Sequence, residues 1–364
     1  MINKILHGNS LDVIKTIPDN HVDCIVTSPP YYGLRDYQTG VWKGGNESCN
    51  HYRDNKITEN CGTGQKSITS GNGDSIYKDV CKKCGAIRID NQIGLEQTPQ
   101  EYVQKLVTLF RECRRILKQE GTLWLNLGDS YCRTGGKGSL TDPKYSEGRN
   151  GQEKAVNRVV NGLKPKNLLG IPWRVAFALQ DDGWILRQDI IWSKPNPMPE
   201  SVTDRCTKSH EYIFLFAKKP KYFYDNEAIK ENSVDEESYT GIRKRNIPKI
   251  NLIDPSHGYF KNIKKNTGKT YPKRNKRTVW TVNTHSYKEA HFATFPVKLI
   301  EPCILAGCTK EGIVFDPFMG AGTTAVASVI NNRNYLGIEL NKEYIKLAEK
   351  RIEKHKRHLE QRLF

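Results

Sequence analysis

Long hydrophobic runs are missing from this chain of 364 residues. Nowhere do about 18 uncharged apolar residues follow one another, so no membrane-spanning helix is expected. The opening residues, Met1-Ile2-Asn3-Lys4-Ile5-Leu6-His7, turn polar too early for a secretory signal. A soluble, cytoplasmic protein with no membrane partner is the expectation. No internal repeat is present. Acidic residues are in short supply, 40 against 57 Lys and Arg, which leaves a formal net charge of +17. The shortage is sharpest between Gly241 and Arg277, where twelve Lys or Arg residues accompany one acid, Asp254, with Tyr259, Phe260 and Tyr271 interleaved. Basic groups release counterions from phosphates and aromatic rings stack on bases, so the segment points to nucleic acid. A solvated basic surface or a disordered stretch is the plainer alternative.

Ten cysteines are present. Without a secretory signal a disulfide framework is not expected. Cys24, Cys113, Cys132, Cys206, Cys303 and Cys308 stand singly in apolar or mixed surroundings and read as small buried hydrophobes.

The pattern along the chain alternates strands with helices, which implies a doubly wound, mostly parallel α/β sheet covered on both faces. Val22 to Val26 is a compact β-run ended by Thr27-Ser28-Pro29-Pro30. Thr98 to Lys118 reads as a helix: Thr98 and Glu101 form a capping box, and Val103, Leu106, Phe110 and Leu117 share a face. Thr122 to Leu127 returns as a strand, Leu168 to Gln180 as a helix and Trp184 to Trp192 as a strand. From Pro195 to about residue 285 the pattern is polar, basic and irregular. Order resumes with strand Gly312–Asp316, helix Thr323–Ile330, strand Asn334–Glu339 and a last helix capped by Asn341.

Two segments carry chemistry. In Asp316-Pro317-Phe318-Met319-Gly320-Ala321-Gly322-Thr323-Thr324-Ala325, a strand meets a tight glycine turn and a helix start. Glycines let a ligand approach the backbone, and the small Ala325 allows close helix packing. Asp316 can accept from a cationic amino group, and Glu339, at the end of the next strand, sits where a carboxylate would hold two ribose hydroxyls. That acidic mouth suits a zwitterionic adenosine ligand better than NAD, whose pyrophosphate prefers a neutral turn. The second segment is Ser28-Pro29-Pro30-Tyr31. An exocyclic amine is a poor nucleophile because its lone pair is delocalised into the ring. Ser28 and the Pro29 carbonyl can each accept an amino proton, Pro30 stiffens the loop, and Tyr31 offers a ring to an extruded base. Alone, the tetrad would be only a rigid turn.

Together the two segments resemble the amino-methyltransferase family of DNA methylases (N4-cytosine and N6-adenine), in the permuted beta-group order with the catalytic motif first. The likeness covers roughly residues 1–40, 95–230 and 278–355. It implies a permuted Rossmann-like fold that binds S-adenosylmethionine and methylates double-stranded DNA at a flipped base by direct transfer. By resemblance, Asp316 and Glu339 bind the amino group and ribose, Phe318, Gly320 and Gly322 belong to the same cofactor motif, and Thr323 lies near the methionine carboxylate. His291 to Pro296, with Phe295, resembles the segment that closes over the methionine end. His7 to Leu11 resembles a Gly-Asp-Ser/Cys-Leu segment near the adenine, with Asn9 in place of the usual Asp. Serine at position 28 is commoner among N4-cytosine enzymes, and N6-adenine is the alternative. A cognate restriction endonuclease is the further partner that the resemblance suggests, with a solitary enzyme left open. C5-cytosine methylation would need a nucleophilic Cys in a Pro-Cys-Gln loop, but Pro302-Cys303 is followed by Ile304 in an apolar run.

Cys49, His51, Cys81 and Cys84 have the spacing of a structural zinc site, with Cys81-Lys82-Lys83-Cys84-Gly85 in knuckle form and Cys61 as a competing ligand. The intervening stretch has too few apolar residues for a core, which a metal would replace; unpaired thiols in a flexible loop are the alternative. The expected organisation is a catalytic half at 1–45 and 92–195, a metal-binding insertion at 46–91, a target-recognition region at 196–285 and a cofactor half at 286–364. Arg35 and Asp36 either reach the target strand or pair with each other. Rival functions are an RNA or protein-glutamine methyltransferase, or a zinc-containing DNA-binding protein without catalysis.

Overall fold

A computed structural model describes residues 1–33, 39–52, 76–77, 80–132, 163–232, 273–284 and 294–361. Eight strands form the main sheet: β1 (Lys4–His7), β2 (Val22–Thr27), β5 (Leu117–Leu127), β6 (Ile185–Ser193), β7 (His210–Ala217), β10 (Val279–Thr281), β11 (Ile313–Asp316) and β12 (Asn334–Glu339). Their order is β1-β12-β11-β2-β5-β7-β6-β10. Only β7 runs against its neighbours; every other pairing in the sheet is parallel. The helices α1 (Ser10–Val13), α2 (Pro99–Ile116) and α3 (Ile171–Asp181) pack together on one face, while α4 (Val297–Gly307), α5 (Thr323–Ile330) and α6 (Lys342–Glu360) pack on the other. The expected doubly wound, mostly parallel architecture is present.

Local chemistry sets the elements that frame the site. At α2, the Thr98 hydroxyl accepts from Glu101 N at 3.2 Å and the Glu101 carboxylate accepts from Thr98 N at 3.2 Å, so the capping box closes. Leu106 and Phe110 on its inner face are buried with Ile25, Leu123 and Leu125 of the sheet. Helix α3 begins three residues later than the sequence suggests, at Ile171. Asp129, beyond the end of β5, caps it from outside by accepting from Gly170 N and Ile171 N at 3.1 and 3.0 Å. The last helix starts as expected, with the Asn341 side chain accepting from Glu343 N at 2.9 Å.

Three further boundaries differ from the sequence reading. Strand β5 starts at Leu117, because Leu117 already pairs with Val22; residues 118–121 then bulge out before pairing resumes at Thr122 opposite Cys24. The region at 196–285 is not wholly irregular. Tyr212-Ile213-Phe214-Leu215-Phe216-Ala217 is a continuous apolar run, as a strand buried on both faces requires, and it lies between β5 and β6. Val279–Thr281 likewise joins the sheet edge beside β6. Finally, β3 (Val41–Lys43), expected in the catalytic half, pairs instead with β4 (Ile87–Ile89) in a separate two-stranded sheet that carries the cysteine cluster.

The chain divides into two compact units, one of residues 1–224 with 278–364 and the other of residues 225–277. In the smaller unit, β8 (Glu231–Asn232) pairs with β9 (Lys273–Arg274). Glu231 there accepts from Arg274 Nε at 3.0 Å and Arg277 Nε at 2.6 Å. Most of the basic segment, including Tyr259, Phe260 and Tyr271, lies outside the described residues.

Candidate active site

The strand order reverses at β11, whose chain successor β12 lies on one side while β2 lies on the other. In open α/β sheets the crevice at such a point, beyond the carboxyl ends of the strands, is the usual ligand site. Thr27 ends β2 and Asp316 ends β11, and the Thr27 hydroxyl donates to Asp316 Oδ1 at 2.6 Å. The two sequence motifs, 289 residues apart, meet through this buried contact. Phe318 N also donates to Oδ1, at 2.9 Å, and the Thr324 hydroxyl donates to Oδ2 at 2.7 Å. Burial lifts the Asp316 carboxyl to about 6, against the lowering effect of these donors. A carboxylate has about four acceptor positions; three are filled here by donors among the described residues, which leaves one acceptor position of Oδ2 unused.

The glycine turn is fastened on its other side by Glu339. Its Oε2 accepts from Gly320 N and its Oε1 from Asn341 N, each at 2.8 Å. Burial raises its carboxyl above the usual range. Gly322 adopts φ +77°, and a Cβ there would lie 2.8 Å from the Ala348 Cβ, so only glycine fits between the turn and α6. Thr323, buried at the start of α5, accepts from Arg351 Nη1 at 2.9 Å. Phe318 is half-buried beside the turn, and Phe295 is half-buried just before α4. Asn9 accepts from Leu11 N at 2.9 Å, which spends one lone pair on capping α1. The Ser10 hydroxyl donates to Pro317 O at 2.5 Å and ties this segment to the turn. His291, Phe292 and Ala293 lie outside the described residues, as do Arg35 and Asp36.

Across the crevice, Pro29 is buried and the Pro30 carbonyl accepts from the Tyr102 hydroxyl at 3.0 Å, fixing the loop to α2. The Tyr31 ring lies against Gly128, where a Cβ would fall 2.5 Å from Cε2. Ser28 Oγ is 3.2 Å from Asn126 Oδ1 and 3.4 Å from the Tyr31 hydroxyl. The Tyr31 hydroxyl lies 2.9 Å from Asn126 Oδ1 and donates to Glu211 Oε2 at 2.6 Å. Asn126 Nδ2 donates to Tyr212 O at 3.0 Å and to Glu211 Oε2 at 3.3 Å, which fixes its oxygen toward Ser28. Lys194 pairs with Glu211 Oε1. Burial, and then the neighbouring Glu211 carboxylate, push the Tyr31 phenol well up, so it remains a neutral hydroxyl. Asn126, Glu211 and Lys194 were not singled out from the sequence. Asn126 gave a signal, as a lone polar residue inside an apolar strand; Glu211 lies within β7, in a stretch read as irregular, and Lys194 directly follows β6, just before that stretch.

The cysteine at 303 is inside α4 and buried, so its thiol packs and does not face the crevice. In the separate hairpin, Cys49, His51, Cys81 and Cys84 bring one ligand atom each within 4.8 Å of one another. Cys49 and Cys81 Sγ are 3.8 Å apart, and Cys84 Sγ is 3.5 Å from His51 Nδ1. Hydrogen bonds from the backbone at Asn46 and Ala86 bring the Cys84 thiol down to about 7. The His51 ring stacks on Trp42 at 4.3 Å. Cys61 lies outside the described residues.

Residues 22–350, which span both motifs, match the profile of the DNA methylase family of N6 and N4 methyltransferases. The chain belongs to this family. The methylase is 39% identical over 350 residues to the Type II methyltransferase M.Cfr9I of Citrobacter freundii, covering 96% of this chain and 87% of the relative. It is 40% identical over 349 residues to M.SmaI of Serratia marcescens, covering 96% and 90%. Among solved structures, PvuII DNA methyltransferase (cytosine-N4-specific) superposes with a TM-score of 0.54 at 15% identity, over 96% of the methylase and 86% of that chain. A candidate DNA modification methylase from Thermus thermophilus, complexed with S-adenosyl-L-methionine, gives 0.51 at 17%, over 97% and 94%. At these identities the structural likeness concerns the fold. Among the described residues no helix is long and apolar enough to cross a membrane.

Proposed function

We propose that this methylase transfers the methyl group of S-adenosylmethionine to the exocyclic N4 amino group of cytosine within a short site in duplex DNA. The observation that carries the reading is the 2.6 Å contact from Thr27 to Asp316, which sets the Ser-Pro-Pro-Tyr loop directly beside the acidic turn. The donor set fits S-adenosylmethionine: Asp316 keeps an acceptor position for an ammonium, Glu339 lies where ribose hydroxyls would reach it, and a phosphate would meet one buried and one half-buried carboxylate. When bound, that cofactor supplies an electrophilic methyl group. Ser28 and Pro29 would accept the two amino protons of an extruded base and hold its nitrogen in line, with Tyr31 against the ring. The serine at position 28, commoner among the N4-cytosine enzymes that the sequence resembles, supports cytosine over adenine.

The Type II methyltransferase relatives support a restriction-modification setting, with a cognate endonuclease as partner. The basic unit at 225–277 is suited to phosphate contacts and target recognition. Zinc fits the Cys-His cluster, since tetrahedral Zn–S bonds of about 2.3 Å place sulfurs about 3.8 Å apart, the separation of Cys49 and Cys81. Its part there is structural.

Mass spectrometry of nucleosides from DNA incubated with the enzyme and labelled S-adenosylmethionine tests the function. N4-methylcytosine is expected; N6-methyladenine would reverse the choice of base, and no transfer despite tight DNA binding would sink the enzyme reading. Asp316→Ala is expected to weaken S-adenosylmethionine binding by at least about 10-fold in calorimetry. It leaves the buried Thr27 hydroxyl without its acceptor, a loss of about 1–3 kcal/mol, and leaves the Thr324 hydroxyl only its longer contact to Val26 O at 3.3 Å. Equal affinity in both proteins would contradict the assignment.

A further inference from the structure

Methylation of an amine releases a proton, and the structure holds a route for it. From Ser28 Oγ the Tyr31 hydroxyl is 3.4 Å away, and Tyr31 donates to Glu211 Oε2 at 2.6 Å. We infer that Ser28, Tyr31 and Glu211 form a proton relay from the target amine, with Glu211 as its terminal acceptor. The inference rests on the amino-methyltransferase reading and serves cytosine or adenine alike. As the nitrogen–methyl bond forms and the sulfur–methyl bond breaks, the nitrogen becomes cationic. It passes one proton to Ser28 Oγ, Ser28 passes its hydroxyl proton to Tyr31 Oη, and Tyr31 passes its own to Glu211. The serine and tyrosine end neutral, the product is the neutral methylamine, and Glu211 ends protonated.

The surroundings suit this role. The raised phenol of Tyr31 keeps its proton at rest, so it conducts without becoming a standing phenolate. With the single Tyr31 proton committed to Glu211, Asn126 Oδ1 accepts only from Ser28 at rest and, as an amide, takes up no proton. The groups facing Glu211 are Tyr31 from the loop, Asn126 from β5, Lys194 after β6 and, through charge, Lys208 ahead of β7. The cations balance the carboxylate between turnovers. The 3.4 Å link is long for an O–H···O bond, as catalytic contacts often are before substrate arrives.

The test is the single-turnover methylation rate against pH, with unmodified genomic DNA and labelled S-adenosylmethionine kept saturating at every pH, so that titration of Asp316 in the cofactor site does not enter the rate. Wild type should show an acidic limb, because Glu211 must start ionised. Glu211→Gln should lower the rate about 100-fold and abolish that limb, while cofactor and DNA affinities stay within about three-fold of wild type. Glu211→Asp should restore part of both rate and limb. A Glu211→Gln rate within about three-fold of wild type, or a retained acidic limb, would overturn the relay. Should Glu211→Gln fail to fold by circular dichroism, Tyr31→Phe, which keeps the ring and removes the linking hydroxyl, carries the test. Loss of the limb in that variant supports the relay and its retention overturns it. Methyl transfer by wild type establishes the underlying activity separately, so a failed relay and a failed functional reading give different results.

Discussion

Ser28→Ala is expected to lower kcat for methyl transfer by about 100- to 1,000-fold, with S-adenosylmethionine affinity changed less than about three-fold. The split follows from where the hydroxyl points. Its proton is taken by Asn126 Oδ1 or the Tyr31 hydroxyl, so its lone pairs are left to accept from an incoming amine. None of its hydrogen bonds reaches Asp316, Glu339 or the glycine turn, so the cofactor side should be unaffected. Rapid-quench kinetics with labelled cofactor, beside calorimetric affinities, measure both quantities. A kcat within about five-fold of wild type would remove Ser28 from the chemistry.

The second large effect concerns the metal. Purified protein is expected to hold one zinc per chain, and chelation or Cys81→Ala should unfold the hairpin at 41–52, 76–77 and 80–90 while the main sheet stays intact. Among its described residues the buried apolar ones are Tyr77, Cys81 and Ala86, with Trp42 packed against them. Zinc sites of this kind in isolated peptides supply about 10–16 kcal/mol at neutral pH, far more than so small a cluster can. Elemental analysis and limited proteolysis check this. A metal-free protein whose hairpin resists protease would count against zinc.

Much of this was legible in the residues because the signals were local. The Thr98–Glu101 box, the Asn334–Glu339 strand and the Asn341 cap each announce themselves within a few positions. Strand β7 was hidden because its apolar run sits between polar flanks, Lys208 to Glu211 on one side and Lys218-Lys219 on the other. The site was half legible for a related reason. Ser28 and Asp316 belong to recognisable motifs, whereas Glu211 gains its meaning only from register. The pairing of Leu127 with Tyr212 and Asn126 with Ile213 brings its carboxylate to the Tyr31 hydroxyl. A sequence does not display cross-strand neighbours.

The order β1-β12-β11-β2 also has a consequence for synthesis. Strands β1 and β2 are made within the first 27 residues of the chain, yet they do not touch. The two strands that separate them are made only after residue 312. A growing chain on the ribosome therefore carries the catalytic motif on an edge strand, with β1 cut off from the other five strands and both carboxylates of the turn lacking. Contacts closed over such spans form late and slowly. The enzyme cannot modify DNA while it is being translated, and truncation before β12 leaves β1 without its partner strand and a bare sheet edge rather than a smaller working domain.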